Sequence, residues 1–211
     1  MSEAHRRKKQ PELLQRSLLQ CAARIAENSG LTGLTLNAVS SAAGVSKGAL
    51  QHHFRSKQAL LDALFADLHT QFMEEIRAEI QKDPDPHGRG TRAYIRVLHR
   101  QAGPGSETGL LRALTALMLT DAEKRESWCA MVNKDLEESY GTEDQRQRFR
   151  LCRLAIDGLW MSDLLGYNRM TPRMRSEMVS QLEAMTREDP DNVKLTSQLV
   201  EMRSSVCSKS E

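Results

Sequence analysis

The chain has 211 residues, enough for one large domain or two small ones, and only 4% are aromatic, which favours helices over strands. No run approaches the ~18 apolar residues of a membrane span, and no apolar stretch follows the basic N-terminus as in a secretory signal. The four cysteines show no paired spacing, which disfavours a zinc site or a disulfide framework and suits a reducing cytoplasm. Residues 1–57 hold nine basic and three acidic side chains, whereas the rest of the chain holds 21 basic and 25 acidic ones. This distribution indicates that only the first part binds a polyanion.

Four helices are predicted before residue 83 from apolar residues that recur every three or four positions. Gly30 and Gly33 end the first helix, and Gly44 separates the second from the third. The fourth is long and ends where the paired prolines after Lys82 disfavour helix. The helix starts are marked by a proline and three hydroxyl caps, namely Pro11, Thr35, Ser46 and Ser56.

Five more helices are predicted after Asp83-Pro84-Asp85-Pro86, separated by glycine-containing turns. The polar tail, residues 190–211, is expected to be weakly helical or disordered. The predicted helical ranges are Gly90–Ala102, Glu107–Leu119, Ala122–Tyr140, Glu143–Leu165 and Pro172–Arg187.

Residues 35–57, TLNAVSSAAGVSKGALQHHFRSK, have the pattern of a helix-turn-helix. Two short helices meet at a bend containing Gly44, which takes a positive φ without steric cost. Leu50 and Phe54 lie four residues apart and are predicted to face the core. The opposite face is polar and carries little bulk at its first turn, which suits entry into a major groove about 12 Å wide. That face consists of Lys47, Gly48, Gln51, His52 and His53.

This segment resembles the DNA-binding domain of the TetR family of bacterial transcriptional regulators. Gln51 departs from the family pattern, which generally has tyrosine there, and a glutamine can contact adenine in a bidentate manner. The matching residues are Gly30, Thr35, Ala43-Gly44-Val45-Ser46, Gly48, Leu50, His53-Phe54, Lys57 and Leu60-Leu61.

The resemblance implies an all-α fold in which a long helix joins a DNA-binding domain to a helical C-terminal domain. Residues 1–57 form the three-helix DNA-binding domain, and the joining helix runs from about 56 to 82. Residues 58–189 are expected to bind a ligand and to form the dimer contact, and residues 190–211 form the tail.

The resemblance, together with side-chain chemistry, assigns the reading of bases to the third helix. Lys47 and Gln51 are expected to contact base edges, and Gly48 to let the backbone approach closely. The basic run Arg6–Lys9 is interpreted either as an arm that follows the DNA backbone or enters a minor groove, or as a solvated tail.

Other residues of the segment are expected to contact phosphates. Thr35 and Ser46 are helix caps whose hydroxyls, with the adjacent helix N-terminal amides, can also meet phosphate oxygens. His53 and Lys57 are further phosphate candidates, and His52 could contact either phosphate or base.

Two apolar stripes in the C-terminal part are predicted to form a homodimer through a four-helix bundle, with an internal core stripe as the alternative. Small residues in the first stripe permit close approach of helices, and Ile156-Asp157-Gly158-Leu159-Trp160 is similar to a dimer helix of the TetR family. The stripes comprise Leu151, Leu154, Ala155, Gly158, Ser162 and Leu165, followed by Met174, Met178, Leu182 and Met185.

An effector pocket is expected among the middle helices, with ordinary core packing as the alternative. Asp157 and Asp163, within an otherwise apolar helix, could provide a counter-charge for a cationic ligand. Cys129 or Cys152 could instead sense oxidants. The other candidate pocket residues are Met118, Trp128, Met131, Trp160 and Met161.

These features predict a dimeric, cytoplasmic repressor that leaves a palindromic double-stranded operator when an unknown small molecule binds. An activator, a ligand-independent repressor, and a helical protein-binding adaptor without DNA affinity remain alternatives. An enzyme is disfavoured because the chain has no glycine-rich phosphate loop and no nucleophile elbow. No cofactor, metal or membrane partner is expected. A metal site formed by His52 and His53 is disfavoured because neighbouring residues on a helix point about 100° apart.

Overall fold

A computed structural model describes residues 3–101, 110–137, 142–167 and 170–187, some of them, including residues 3–10, by their backbone alone. Within these ranges the chain forms nine α-helices and no strand, which confirms the predicted all-α fold. No helix in these ranges is long and apolar enough to cross a membrane. The tail 190–211 lies outside the described residues. The helices are α1 (Glu3–Gly33), α2 (Leu36–Ala42), α3 (Lys47–His53), α4 (Lys57–Lys82), α5 (Arg89–Gln101), α6 (Leu110–Thr120), α7 (Ala122–Glu137), α8 (Glu143–Leu165) and α9 (Pro172–Met185).

The three hydroxyl caps predicted before α2, α3 and α4 are confirmed. The side chains of Thr35, Ser46 and Ser56 each accept a hydrogen bond from the backbone N–H three residues later, as N-caps do. Each of these distances is 3.1 Å, and the donors are Ala38, Ala49 and Ala59.

Two predicted helix ends are wrong. The first helix begins at Glu3 and contains Pro11. Proline removes one backbone hydrogen bond, but the alanine, arginine, lysine and glutamine residues before it favour helix and outweigh that loss. Gly30 interrupts α1 with φ 64° and ψ −178°, as expected of a helix stop. Helix α9 ends at Met185, two residues early, where Thr186 turns its hydroxyl back to the carbonyl of Glu183 at 2.6 Å.

One compact unit comprises the described parts of residues 1–75 and 100–133. In it α1 packs against α2 and α6, and α2 packs against α3. Its core is apolar, and Leu50 and Phe54 of the helix-turn-helix segment are buried in it as predicted. The other fully buried large side chains of this unit include Leu18, Leu34, Leu60, Leu64, Phe72, Leu114 and Leu117.

The second compact unit comprises the described parts of residues 76–99 and 134–211, in which α8 packs against α9. Its core combines apolar side chains with a fully buried arginine, Arg92. The guanidinium of Arg92 donates to both carboxylate oxygens of Asp83, at 2.7 and 3.1 Å. It also donates to the carbonyls of Asp85 and His87 and to the hydroxyl of Thr186. These bonds tie the segment after α4 to α5 and to the end of α9.

The unit boundary differs from the predicted division of roles at residue 57. Helix α6 and most of α7 belong to the unit that contains the helix-turn-helix, not to the unit that contains α8 and α9. Packing alone does not report which residues bind DNA, a ligand or a second chain. The functional division between residues 1–57 and 58–189 therefore stays a prediction.

Candidate nucleic-acid interface and partner surfaces

The turn between α2 and α3 has the geometry that a helix-turn-helix needs. Gly44 has φ 67°, a left-handed conformation that favours glycine, and its N–H donates to the carbonyl of Ser41 at 3.2 Å. The N–H of Val45 donates to the carbonyl of Ser40 at 3.0 Å, which closes the end of α2. The bend is thus fixed by backbone hydrogen bonds and needs no distant partner.

Helix α3 presents its polar flank to solvent. Lys47, Gly48, Gln51 and His52 are all exposed, and their spacing of one, four and five residues places them on one side of the helix. Leu50, on the other side, is 0% exposed. The structure therefore brings together the residues predicted to read bases.

No contact within the described part of the chain requires a glycine at position 48. A Cβ atom built there would meet only the Ser46 hydroxyl oxygen, at 3.9 Å. A glycine inside a helix costs up to about 1 kcal/mol relative to alanine. The advantage of this glycine is therefore to be sought outside the chain, in a partner that approaches the first turn of α3 closely.

Two of the expected phosphate contacts have additional roles inside the chain. The ammonium of Lys57 donates to the carbonyl of Leu31 at 2.9 Å, which joins the start of α4 to the end of α1. His53 is partly buried, with its ring 5.7 Å from that of His52 and 6.3 Å from that of Phe54. Phosphate contacts by these two residues stay predictions, as do those by the exposed caps Thr35 and Ser46, and the side chains of Arg6–Lys9 lie outside the description.

The two predicted dimer stripes are exposed over most of their length. Gly158 lies on this surface, and a Cβ atom built there would meet nothing within 4 Å. Ser162 and Leu182, at 6% and 8% exposure, are instead buried in the unit's own core, so we remove them from the predicted surface. Ala155 and Met185 are partly exposed. The large apolar side chains that remain exposed are Leu151, Leu154, Leu165, Met174 and Met178.

The predicted pocket residues do not fall in one unit. Met118, Trp128 and Met131 belong to the first unit, and Asp157, Trp160 and Met161 belong to the second. Trp128 packs on aromatic neighbours of its own unit, with its ring 4.9 Å from Phe72 and 6.2 Å from His69. Trp160 is buried, Met161 is partly exposed, and the side chain of Met131 is not described. A pocket formed by these residues stays a prediction.

The two carboxylates predicted to face a cationic ligand have partners of their own. Asp157 accepts a hydrogen bond from the hydroxyl of Tyr94 at 2.7 Å, and Asp163 pairs with Arg175. Burial raises the pKa of Asp157, against the bond from Tyr94 and the charge of Arg153, which lower it. These partners remove the reason for expecting a cationic ligand.

Arg153, which the sequence analysis did not single out, lies beside this pair. It is 7% exposed, and its guanidinium carbon lies 4.8 Å from the centre of the Tyr94 ring. The sequence does contain a pattern that could have indicated this residue, since an arginine stands four residues before an aspartate among apolar residues of the same helix. The described residues contain no group of three or more histidine, cysteine, aspartate or glutamate side chains arranged to hold a metal ion.

Fold and site together define a helical protein whose N-terminal helix-turn-helix exposes its second helix. Two family models match the chain: "Bacterial regulatory proteins, tetR family" over residues 18–64, and "Tetracyclin repressor-like, C-terminal domain" over residues 88–187. The chain belongs to the TetR family of bacterial regulatory proteins, as its resemblance predicts. Membership in a family of regulators also agrees with the prediction that it is not an enzyme.

A curated relative, the HTH-type transcriptional regulator CymR of Pseudomonas putida, is 40% identical over 68 residues. The match spans 32% of this chain and 34% of CymR, about a third of each. Among solved structures, the multidrug binding protein EbrR complexed with malachite green has a TM-score of 0.61 at 20% identity, covering 82% of this chain and 98% of that one. AibR in complex with isovaleryl coenzyme A and operator DNA has a TM-score of 0.60 at 21% identity, covering 80% and 97%. At these identities the two structures establish similarity of fold.

Proposed function

We propose that the protein is a sequence-specific DNA-binding transcriptional regulator that acts as a homodimer in the bacterial cytoplasm. In this proposal it represses transcription from a palindromic operator and is released when a small molecule binds. The observation that carries it is the exposed face of α3, where Lys47, Gln51 and His52 surround a glycine that the chain itself does not need. A cation, an amide and an unobstructed first turn suit the edges of bases in a major groove.

The charge distribution supports contact with DNA by this part of the chain. Residues 1–57 hold nine basic and three acidic side chains, and Lys47, Arg55 and Lys57 are exposed. Phosphate contacts by lysine and arginine release counterions from DNA, so they supply affinity that falls steeply as salt rises. The base-facing side chains then add sequence preference to that general attraction.

The exposed surface of α8 and α9 supports assembly into a homodimer. Leu154 is 69% exposed and Met174 is 51% exposed, and large apolar side chains of this kind favour burial against a partner. The open space over Gly158 would let a helix of a second copy approach α8 closely. A dimer is also what a palindromic site requires, since one helix-turn-helix reads only a half-site.

Two relatives of similar fold support release by a small molecule. EbrR is complexed with malachite green, and AibR is in complex with isovaleryl coenzyme A and operator DNA. A ligand releases DNA only to the extent that it binds the released state more tightly than the DNA-bound state. Activation, ligand-independent repression and protein binding without DNA affinity are the functions that the experiment must distinguish.

Selection of bound sequences from random duplexes tests the proposal. The expected product is a palindrome whose half-site centres lie about one helical turn, ~34–36 Å, apart or slightly further. Affinity for that duplex should fall linearly in a plot of log K against log salt concentration. A matched Lys47→Ala, Gln51→Ala double variant should lose the selected preference while keeping weak general binding. Failure to enrich any sequence, with no salt-sensitive binding, would favour the adaptor.

A further inference from the structure

The second unit contains a buried arginine, Arg153, two of whose nitrogen atoms lack a hydrogen-bond acceptor in the described part of the chain. Arg153 is 7% exposed, and its Nε and Nη1 atoms have no hydrogen-bond partner among the residues that the structure describes. Its guanidinium stacks on the ring of Tyr94, 4.8 Å from the ring centre. Stacking of this kind stabilises a cation, but it leaves Nε and Nη1 without an acceptor. Buried charges in proteins are normally both paired and hydrogen-bonded.

The carboxylate of Asp157 does not satisfy this arginine. Asp157, one turn along α8, is close enough for the charge of Arg153 to lower its pKa, but the hydrogen bond it accepts comes from the hydroxyl of Tyr94 at 2.7 Å. Arg92, in the same unit, shows the contrast, since its guanidinium has hydrogen-bond partners at Nε, Nη1 and Nη2. Arg92 is therefore held by a full set of acceptors, which Arg153 does not have.

We propose that Arg153 anchors a binding site for a ligand carboxylate between α5 and α8. The carboxylate accepts from the free N–H groups of the guanidinium, because carboxylate and guanidinium have complementary planar geometry. Tyr94 holds the guanidinium in place by stacking. Its hydroxyl also donates a hydrogen bond to Asp157, so that Asp157 does not compete with the ligand for the arginine. The body of the ligand should be apolar, because Ile156 and Trp160, three and seven residues after Arg153, share its side of α8 and are apolar. As an identification of the effector class, this inference rests on the proposed function.

The first test measures stability without ligand or DNA. An arginine whose role is to bind a ligand is a buried, unpaired charge in the unliganded protein, and it destabilises the fold there. Arg153→Met is therefore expected to leave the Tm unchanged or raise it by up to about 4 °C. Arg150→Met, at an exposed position of the same helix, is the control and should leave the Tm unchanged. A fall of several degrees in Arg153→Met alone would show that the arginine is structural and would overturn the proposal.

The second test detects the ligand contact directly. In a ¹⁵N-labelled protein, the Nε–H signal of Arg153 is assigned as the one missing from the Arg153→Lys spectrum. Acetate, butyrate, octanoate and benzoate are titrated, each against its neutral amide and against sodium chloride at equal ionic strength. A saturable downfield shift of that signal with at least one carboxylate, and with none of the amides or the salt, is expected. No shift with any of the four, or equal shifts with the amides, would contradict a carboxylate site.

Operator release is measured separately, with the carboxylate that binds. Loss of DNA affinity in the wild type but not in Arg153→Lys would identify the ligand class as that of the effector. Saturable binding without any effect on DNA would refute the effector assignment while leaving the carboxylate site in place. Failure of the DNA selection, with the titration positive, would instead refute the proposed function alone.

Discussion

The helix-turn-helix and the second unit treat charged side chains in opposite ways. Between residues 34 and 57, Lys47, Arg55 and Lys57 are all exposed, and the interior is formed mainly by apolar side chains. In the second unit Arg92 and Asp83 are buried. The first region exposes these cations to solvent, where a polyanion can reach them, whereas the second pairs Arg92 with a buried carboxylate of its own unit. Deleting one of the exposed cations should therefore alter the proposed DNA binding, whereas deleting a member of the buried pair should alter folding.

The largest effect should follow from breaking the buried pair of Arg92 and Asp83. Arg92→Met leaves Asp83 buried with only Arg96, at 3.1 Å, as a cationic partner, and removes three further hydrogen bonds. We expect a loss of about 3–5 kcal/mol in the free energy of unfolding, as measured by urea denaturation. Arg89→Met, at an exposed position of the same helix, should change it by no more than about 0.5 kcal/mol. Equal losses in the two variants would mean that burial does not determine the cost.

A smaller effect is expected at the surface of α8. Gly158→Leu should weaken the proposed dimer by about 1–3 kcal/mol, through overpacking against the second copy, while leaving the monomer folded. The space over Gly158 within the chain is open, so a leucine has no internal contact to disturb. Sedimentation velocity measures the dissociation, and circular dichroism checks the helix content.

Ser176→Leu provides the matched control for this variant. Ser176 is exposed on α9, and its position two residues after Met174 places it away from the apolar stripe. The Ser176→Leu variant should leave the proposed dimer intact. A Gly158→Leu protein that sediments as the wild type does would remove α8 from the proposed interface.

The same contrast explains what could be predicted from the sequence. The helix-turn-helix was predictable because its determinants are local: each hydroxyl cap acts three residues away, and Gly44 acts on its own backbone. The partners of Arg92 include Thr186, 94 residues away, and no spacing rule connects the two. Ser162 and Leu182 were misplaced for a related reason, since a helical stripe is wide and its period does not show which edge turns inward.

Base reading by α3 is expected to change specificity more than overall affinity. Lys47→Ala and Gln51→Ala should each lose about 1–3 kcal/mol on the selected operator and less on operators altered at the contacted base pair. Lys57→Ala should weaken binding to all duplexes alike, because we expect its ammonium to contact phosphate, and it also joins α4 to the end of α1 through the carbonyl of Leu31. Dissociation constants on a panel of single-base variants provide the measurement. Uniform losses for all three variants would remove the assignment of base contacts to Lys47 and Gln51.

The smallest expected effect is the pH dependence that Asp83 gives to the second unit. The hydrogen bonds from Arg92 lower the pKa of Asp83 from 3.8 to about 2, against the opposing effect of its burial. A lowered pKa means that the unfolded chain binds the proton more readily than the folded one. The stability from this group is therefore complete above pH 3.8 and is lost as the pH falls toward 2. One such group gives a slope of at most about 1.4 kcal/mol per pH unit.

Comparing slopes isolates that contribution from the effects of other carboxylates. The free energy of unfolding is measured between about pH 5 and pH 3 for the wild type and for Asp83→Asn, which cannot titrate there. The wild type should lose stability more steeply as the pH falls, whatever the absolute stability of the variant. Gln51→Ala, in the region that exposes its charges, should retain the wild-type slope. Parallel slopes in the wild type and Asp83→Asn would mean that Arg92 does not hold Asp83 ionised. The difference between exposed charges in the helix-turn-helix and buried charges in the second unit would then have no effect on the pH dependence of stability.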